Sequence, residues 1–121
     1  MLFEVERTTV SGRPWLTVRG ELDLVMAPQL IAAVEAVLAT GPRALAIDLT
    51  PTKFMDSSGA RALVLAARQA ADAEVELHVI APRSNGPVRL AVDLLDLGTI
   101  VPLVGSASEI PTGIAGRDTA T

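Results

Sequence analysis

The sequence has no cysteine and no tyrosine, and only one tryptophan, two phenylalanines and one histidine among 121 residues. Each shortage removes a class of chemistry. Without thiols there is no disulfide, no thiolate nucleophile and no zinc–thiolate site, and the composition suits a reducing compartment. Three aromatic side chains, Phe3, Trp15 and Phe54, are too few to build a base-stacking platform. The lone histidine, His78, lies between Leu77 and Val79 in a strand-like run and reads as structural rather than catalytic. A serine nucleophile would have no other plausible base. There is no glycine-rich phosphate loop with its lysine. Ser57 is not the centre of a Gly-x-Ser-x-Gly elbow, because position 55 is Met. Asp93 and Asp96 have no ligand partners nearby in sequence and read as a solvated helix face. The expectation is a protein that is not an enzyme and that carries neither cofactor nor metal.

Basic charge is also short. Fourteen acidic residues against ten basic ones give a formal charge of -4, with no Lys/Arg cluster, which argues against nucleic acid and anionic membrane as partners. The longest apolar runs, such as Leu30 to Val34 and Leu63 to Ala67, fall far short of the ~20 residues that span a bilayer. Glu4, Glu6 and Arg7 interrupt the opening where a signal peptide needs an apolar stretch. The expected location is the cytoplasm.

Half of the residues are apolar. A single domain of this length buries roughly 65% of its unfolded surface, enough for a core without disulfides. Leu2 to Val10 reads as a strand, Ser11-Gly12 as a turn, and Trp15 to Gly20 as a second strand by its alternation, so the two form an antiparallel hairpin. Pro28 fits the first turn of a helix. Leu30, Val34, Val37 and Leu38 share one face of that helix, and Gly41-Pro42 stops it. Ala44 to Leu49 is a buried strand.

A second helix begins at Ser57, with Ala60, Leu63, Val64, Ala67 and Ala71 on one side. Val75 to Ile80 supplies another strand, stopped by Pro82. Ser84-Asn85-Gly86-Pro87 opens a third helix with Val88, Ala91, Val92 and Leu95 inward, Gly98 ends it, and Ile100 to Val104 forms a last strand. Helices alternating with buried strands predict an α/β fold, one mixed sheet packed by three to four helices. The domain is expected to cover residues 1–110. From Gly105 the composition loosens, with one helical turn near Ser108 to Ile110 and a loosely structured tail over 111–121.

The informative stretch is Ile47 to Gly59, a buried strand leading through a loop into a helix start. Asp56, Ser57 and Ser58 are all good cap or first-turn residues, but capping needs only one of them. Phe54 and Met55 are large apolar residues in the connection, where at least one should be exposed. A phosphate on a serine at this position would be tolerated by the free N–H groups of the helix start. On a contact surface beside Asp56, the same charge would oppose docking of an acidic or apolar partner.

Phe54-Met55-Asp56-Ser57-Ser58-Gly59 resembles the signature of the STAS domain of bacterial anti-sigma factor antagonists. Gly20-Glu21-Leu22-Asp23, with Ala27-Pro28 behind it, is similar to that family's segment between the second strand and the first helix. Val88 to Leu95 and Leu97-Gly98 match a third region loosely, and the likeness covers about residues 1 to 110. Ala60 departs from the larger aliphatic residue usual after the motif glycine, and Pro51-Thr52-Lys53 from the usual loop. The resemblance implies a STAS fold and an anti-sigma factor antagonist. Unphosphorylated, it would bind an anti-sigma factor with serine kinase activity and so release a sigma factor. That kinase would phosphorylate Ser57, and a serine phosphatase would reverse the step. By position, Asp23, Met55, Asp56, Ser57 and Ser58 are the expected partner-binding residues. An accessory STAS subunit of a lipid-transport or stress-sensing complex, docking without phosphorylation, is the alternative.

Overall fold

A computed structural model describes residues 4–111. The chain order is β1 (Glu4–Val10), β2 (Arg13–Leu22), α1 (Ala27–Leu38), β3 (Ala44–Asp48), β4 (Thr52–Met55), α2 (Ser57–Asp72), β5 (Glu76–Ile80), α3 (Gly86–Leu94) and β6 (Leu103–Val104), with short 3-10 turns at Leu97–Thr99 and Ala107–Glu109. The sheet runs β1-β2-β3-β5-β6, and β4 pairs with β2 beyond the end of β3. Among the described residues, only the β1–β2 hairpin is antiparallel. Its turn has positive φ at both Ser11 and Gly12, the primed geometry that follows the right-handed strand twist.

Alternation sets the two faces of the sheet. Leu16 and Val18 of β2, Leu45 and Ile47 of β3, and Leu77 and Val79 of β5 enter the main core, with Leu30, Val34 and Val37 of α1 and Leu63, Ala66 and Ala70 of α2 above them. Trp15, Ala46 and Ile80 point to the opposite face and are covered there by Ile110. The chain therefore packs firmly as far as Ile110, beyond the point where its composition loosens. Arg13 fastens this end by donating to the Pro111 carbonyl at 3.0 Å. Residues 112–121 of the expected tail lie outside the described residues.

Several sequence expectations are corrected. The connection holding Phe54 and Met55 is the strand β4, not a loop. Four residues are too few for periodicity to reveal, and Pro51 suggests a break. The strand β2 continues two residues past Gly20, whose φ of 87° accompanies a register shift between Gly20 and Glu21 within the β2–β4 pairing. The third helix stops at Leu94 with Leu95 as its C-cap, and Asp96 rather than Gly98 takes the left-handed position. Leu95 and Ala71, expected inward, are exposed, because each sits in its helix's final turn or just past it. The last strand is shorter than expected, only Leu103–Val104. Among the described residues, no helix is long and apolar enough to cross a membrane.

Candidate functional site

The site forms where β2 and β4 end side by side. Leu22 O accepts from Asp56 N at 3.3 Å, stitching the turn after β2 to the start of α2. In that turn Asp23 Oδ1 accepts from Val25 N at 3.0 Å and Met26 N at 3.1 Å, and Asp23 O accepts from Ala27 N at 2.8 Å. Asp23 thus shapes the entry into α1. Asp56 is the N-cap of α2: its Oδ1 accepts from Ser58 N at 2.9 Å and from Gly59 N at 3.1 Å. The capping role open to three residues falls to Asp56.

Ser57, first residue of α2, is exposed, and Ser58 is half-buried. Asp23 and Ser57 therefore lie at the same end of the fold. Met55 does not present a surface. It is 2% exposed and belongs to the core, while Phe54 is 46% exposed. The pleat of β4 sends these neighbours to opposite faces, so Met55 supports the site from beneath. Gly59 is required by close approach. A Cβ there would collide with Leu22 O and lie 2.7 Å from Leu22 Cγ. Its small size lets α2 start directly against the end of β2.

Residue-by-residue reading missed several neighbours. Leu24 and Val25, beside Asp23, are strongly exposed. Leu90 and Leu94 are 61% and 75% exposed on α3. The signal was present, since assigning Val88, Ala91 and Val92 to the core leaves these two leucines i, i+4 on another face. They border an apolar groove of about 540 Å3 between β4 and α3, whose lining includes Phe54, Asp56, Ser57 and Pro87. Asn85 is the other omission. It caps α3 by accepting from Val88 N, and its amide donates to Leu49 O at 3.2 Å and Thr52 O at 2.7 Å. It thereby ties the loop before β4 to the start of α3.

His78 lies in β5, away from this end, on the sheet face that Trp15 shares. Burial lowers its pKa; Glu76 opposes that shift, and Arg13 adds to it. Among the described residues no group of three or more His, Cys, Asp or Glu is placed to hold a metal ion. The Ser57 end offers a capped helix start, an exposed hydroxyl and exposed apolar side chains, an arrangement that can accept a modification and a protein surface.

Residues 6–104 match the family model described as "Mlab, STAS domain". The anti-sigma-F factor antagonist RsfB of Mycobacterium tuberculosis is 31% identical over 106 residues, spanning 88% of this chain and 84% of that protein. The chain belongs to the STAS-domain anti-sigma factor antagonist family. A crystal structure of an anti-sigma factor antagonist from Mycobacterium paratuberculosis superposes with a TM-score of 0.80 at 29% identity, covering 96% of this chain and 95% of that one. SpoIIAA in its unphosphorylated form shares the fold, with a TM-score of 0.63 at 18% identity over 98% and 96% of the two chains. The α/β mixed sheet with three helices is the fold of this family, whose members are regulatory binding proteins rather than enzymes.

Proposed function

We propose that this STAS protein is a phosphorylation-controlled switch. Unphosphorylated, it binds an anti-sigma factor with serine kinase activity and so frees a sigma factor in the cytoplasm. Phosphorylation of Ser57 ends that binding, and a serine phosphatase restores it. The observation that carries this reading is the position of Ser57: an exposed hydroxyl on the first turn of α2, beside the Asp56 cap and the Asp23 turn. A phosphate there is compatible with the fold, because the helix start carries partial positive charge. Its effect falls on the contact surface, where it adds about -1.5 to -2 charge next to a carboxylate. SpoIIAA, which shares the fold, has been solved in both unphosphorylated and phosphorylated forms.

The test is incubation with kinase-type anti-sigma factors and ATP, read by intact mass and by phosphopeptide mapping. One phosphate on Ser57, absent from Ser57→Ala, is the expected result. Phosphate on Ser58 alone would overturn the assignment. Tight docking of a partner with no phosphate transfer would favour the accessory-subunit reading instead.

A further inference from the structure

The phosphoacceptor does not sit on a segment that can be drawn out as a linear motif. Ser57 is the first residue of a 16-residue helix, preceded by a β4 strand paired to β2. Its neighbours are fixed as well: Asp56 caps the helix, Asp56 N is bonded to Leu22 O, and Gly59 is wedged against Leu22. To present residues 54–60 in extended form would cost all of these contacts. A kinase must therefore approach Ser57 on the folded surface, and its footprint must include what rims that hydroxyl.

On the α3 side that rim is the groove between β4 and α3. Ser57 and Asp56 belong to its lining, together with Phe54, Pro87, Leu90 and Leu94 among others. Along α3, Gly86, Leu90 and Leu94 follow each other at i, i+4 and i+8, a single ridge about 12 Å long at a helical rise of 1.5 Å per residue. Asp56 is the one ionisable side chain of the lining, and its Oδ1 already serves the helix cap. The surface is thus apolar and continuous with the acceptor serine, the kind of groove in which an amphipathic helix lays its apolar face.

We propose that this groove is where the kinase-type anti-sigma factor seats an apolar helix face, so that Leu90 and Leu94 set affinity and substrate recognition while Ser57 sets the state of the switch. This rests on the function proposed above. It explains why phosphorylation releases the partner. An apolar segment lying across the groove would strip water from Ser57, which a neutral hydroxyl tolerates and a phosphate dianion does not.

The experiment uses the full chain and an anti-sigma factor that phosphorylates wild type. Leu90→Ser combined with Leu94→Ser is expected to raise KM for phosphorylation, and the Kd of the unphosphorylated complex, by about tenfold or more, with the loss in KM rather than kcat. Both side chains are exposed, so an unchanged melting temperature shows that the variant remains folded. A synthetic peptide covering residues 50–63 is expected to be a poor substrate. Unchanged KM and Kd in the double variant, or efficient phosphorylation of the peptide, would overturn the inference while leaving the switch intact. A wild-type dimer dissolved by the double substitution would overturn it too, by assigning the groove to a second copy. If no kinase-type anti-sigma factor binds or phosphorylates wild type, the proposed function falls and the groove's assignment falls with it.

Discussion

A charge added at Ser57 meets two opposite environments. The partial positive charge at the start of α2 favours it, while the Asp56 carboxylate and an apolar partner oppose it. Ser57→Ala should therefore keep partner binding and lose phosphorylation. Ser57→Asp should bind more weakly by about 1–3 kcal/mol where the partner excludes water, as read by titration calorimetry. Asp56→Ala removes the cap that serves Ser58 N and Gly59 N. Loss of an N-cap costs about 1 kcal/mol, visible as a lower midpoint in urea. Gly59→Ala should cost more, about 1–3 kcal/mol by overpacking, because the collision involves Leu22 O, a backbone atom that cannot rotate away. A Gly59→Ala protein as stable as wild type would contradict the tight seating of α2 on β2.

At the scale of elements, the site depends on a junction between β4 and α3 that is held by one amide. Asn85 caps α3 and bonds the carbonyls of Leu49 and Thr52. Thr52 in turn donates its hydroxyl to Val18 O at 2.8 Å, fully buried. Asn85→Ala would take this donor from the Thr52 carbonyl, while Leu49 O keeps its bond from Thr52 N, at a cost of about 1–3 kcal/mol. Amide hydrogen exchange should then rise in β4 and in the first turn of α3, while α1 stays protected. Equal loss of protection throughout would point to global destabilisation instead.

For the whole molecule, the second face of the sheet carries its own small core. Trp15 donates to Asp48 Oδ2 at 3.2 Å and packs under Ile110. His78 lies on that face, with its pKa held below the ordinary 6.5 chiefly by burial. The folded state therefore binds its proton less readily than the unfolded chain does. Stability should be complete above about pH 6.5 and should decline as pH falls from there toward the folded value. His78→Gln should flatten that part of the profile, as read by thermal melts across the pH range. An unaltered profile would remove His78 as the cause.

The sequence by itself determined the order of the elements apart from β4, the α/β class and the position of the motif. Those depend on local signals: the period of apolar residues, Pro28 at a helix start, Gly41 after a helix end, and Asp-Ser-Ser-Gly at the entry to α2. Helix-start chemistry left Asp56, Ser57 and Ser58 equally open, and it was the resemblance of that run to the STAS signature that singled out Ser57. Tertiary structure decided the rest. Which of three polar residues caps α2 depended on the pairing of Asp56 N with Leu22 O. Burial of Met55 beside exposed Phe54 depended on a four-residue strand that exists only because β2 runs past the end of β3 and offers it a partner. Asn85 acts across more than thirty residues of sequence, a distance that no local pattern encodes. The groove beside Ser57 has the same origin: its two walls, β4 and α3, are brought together by the sheet and its crossovers.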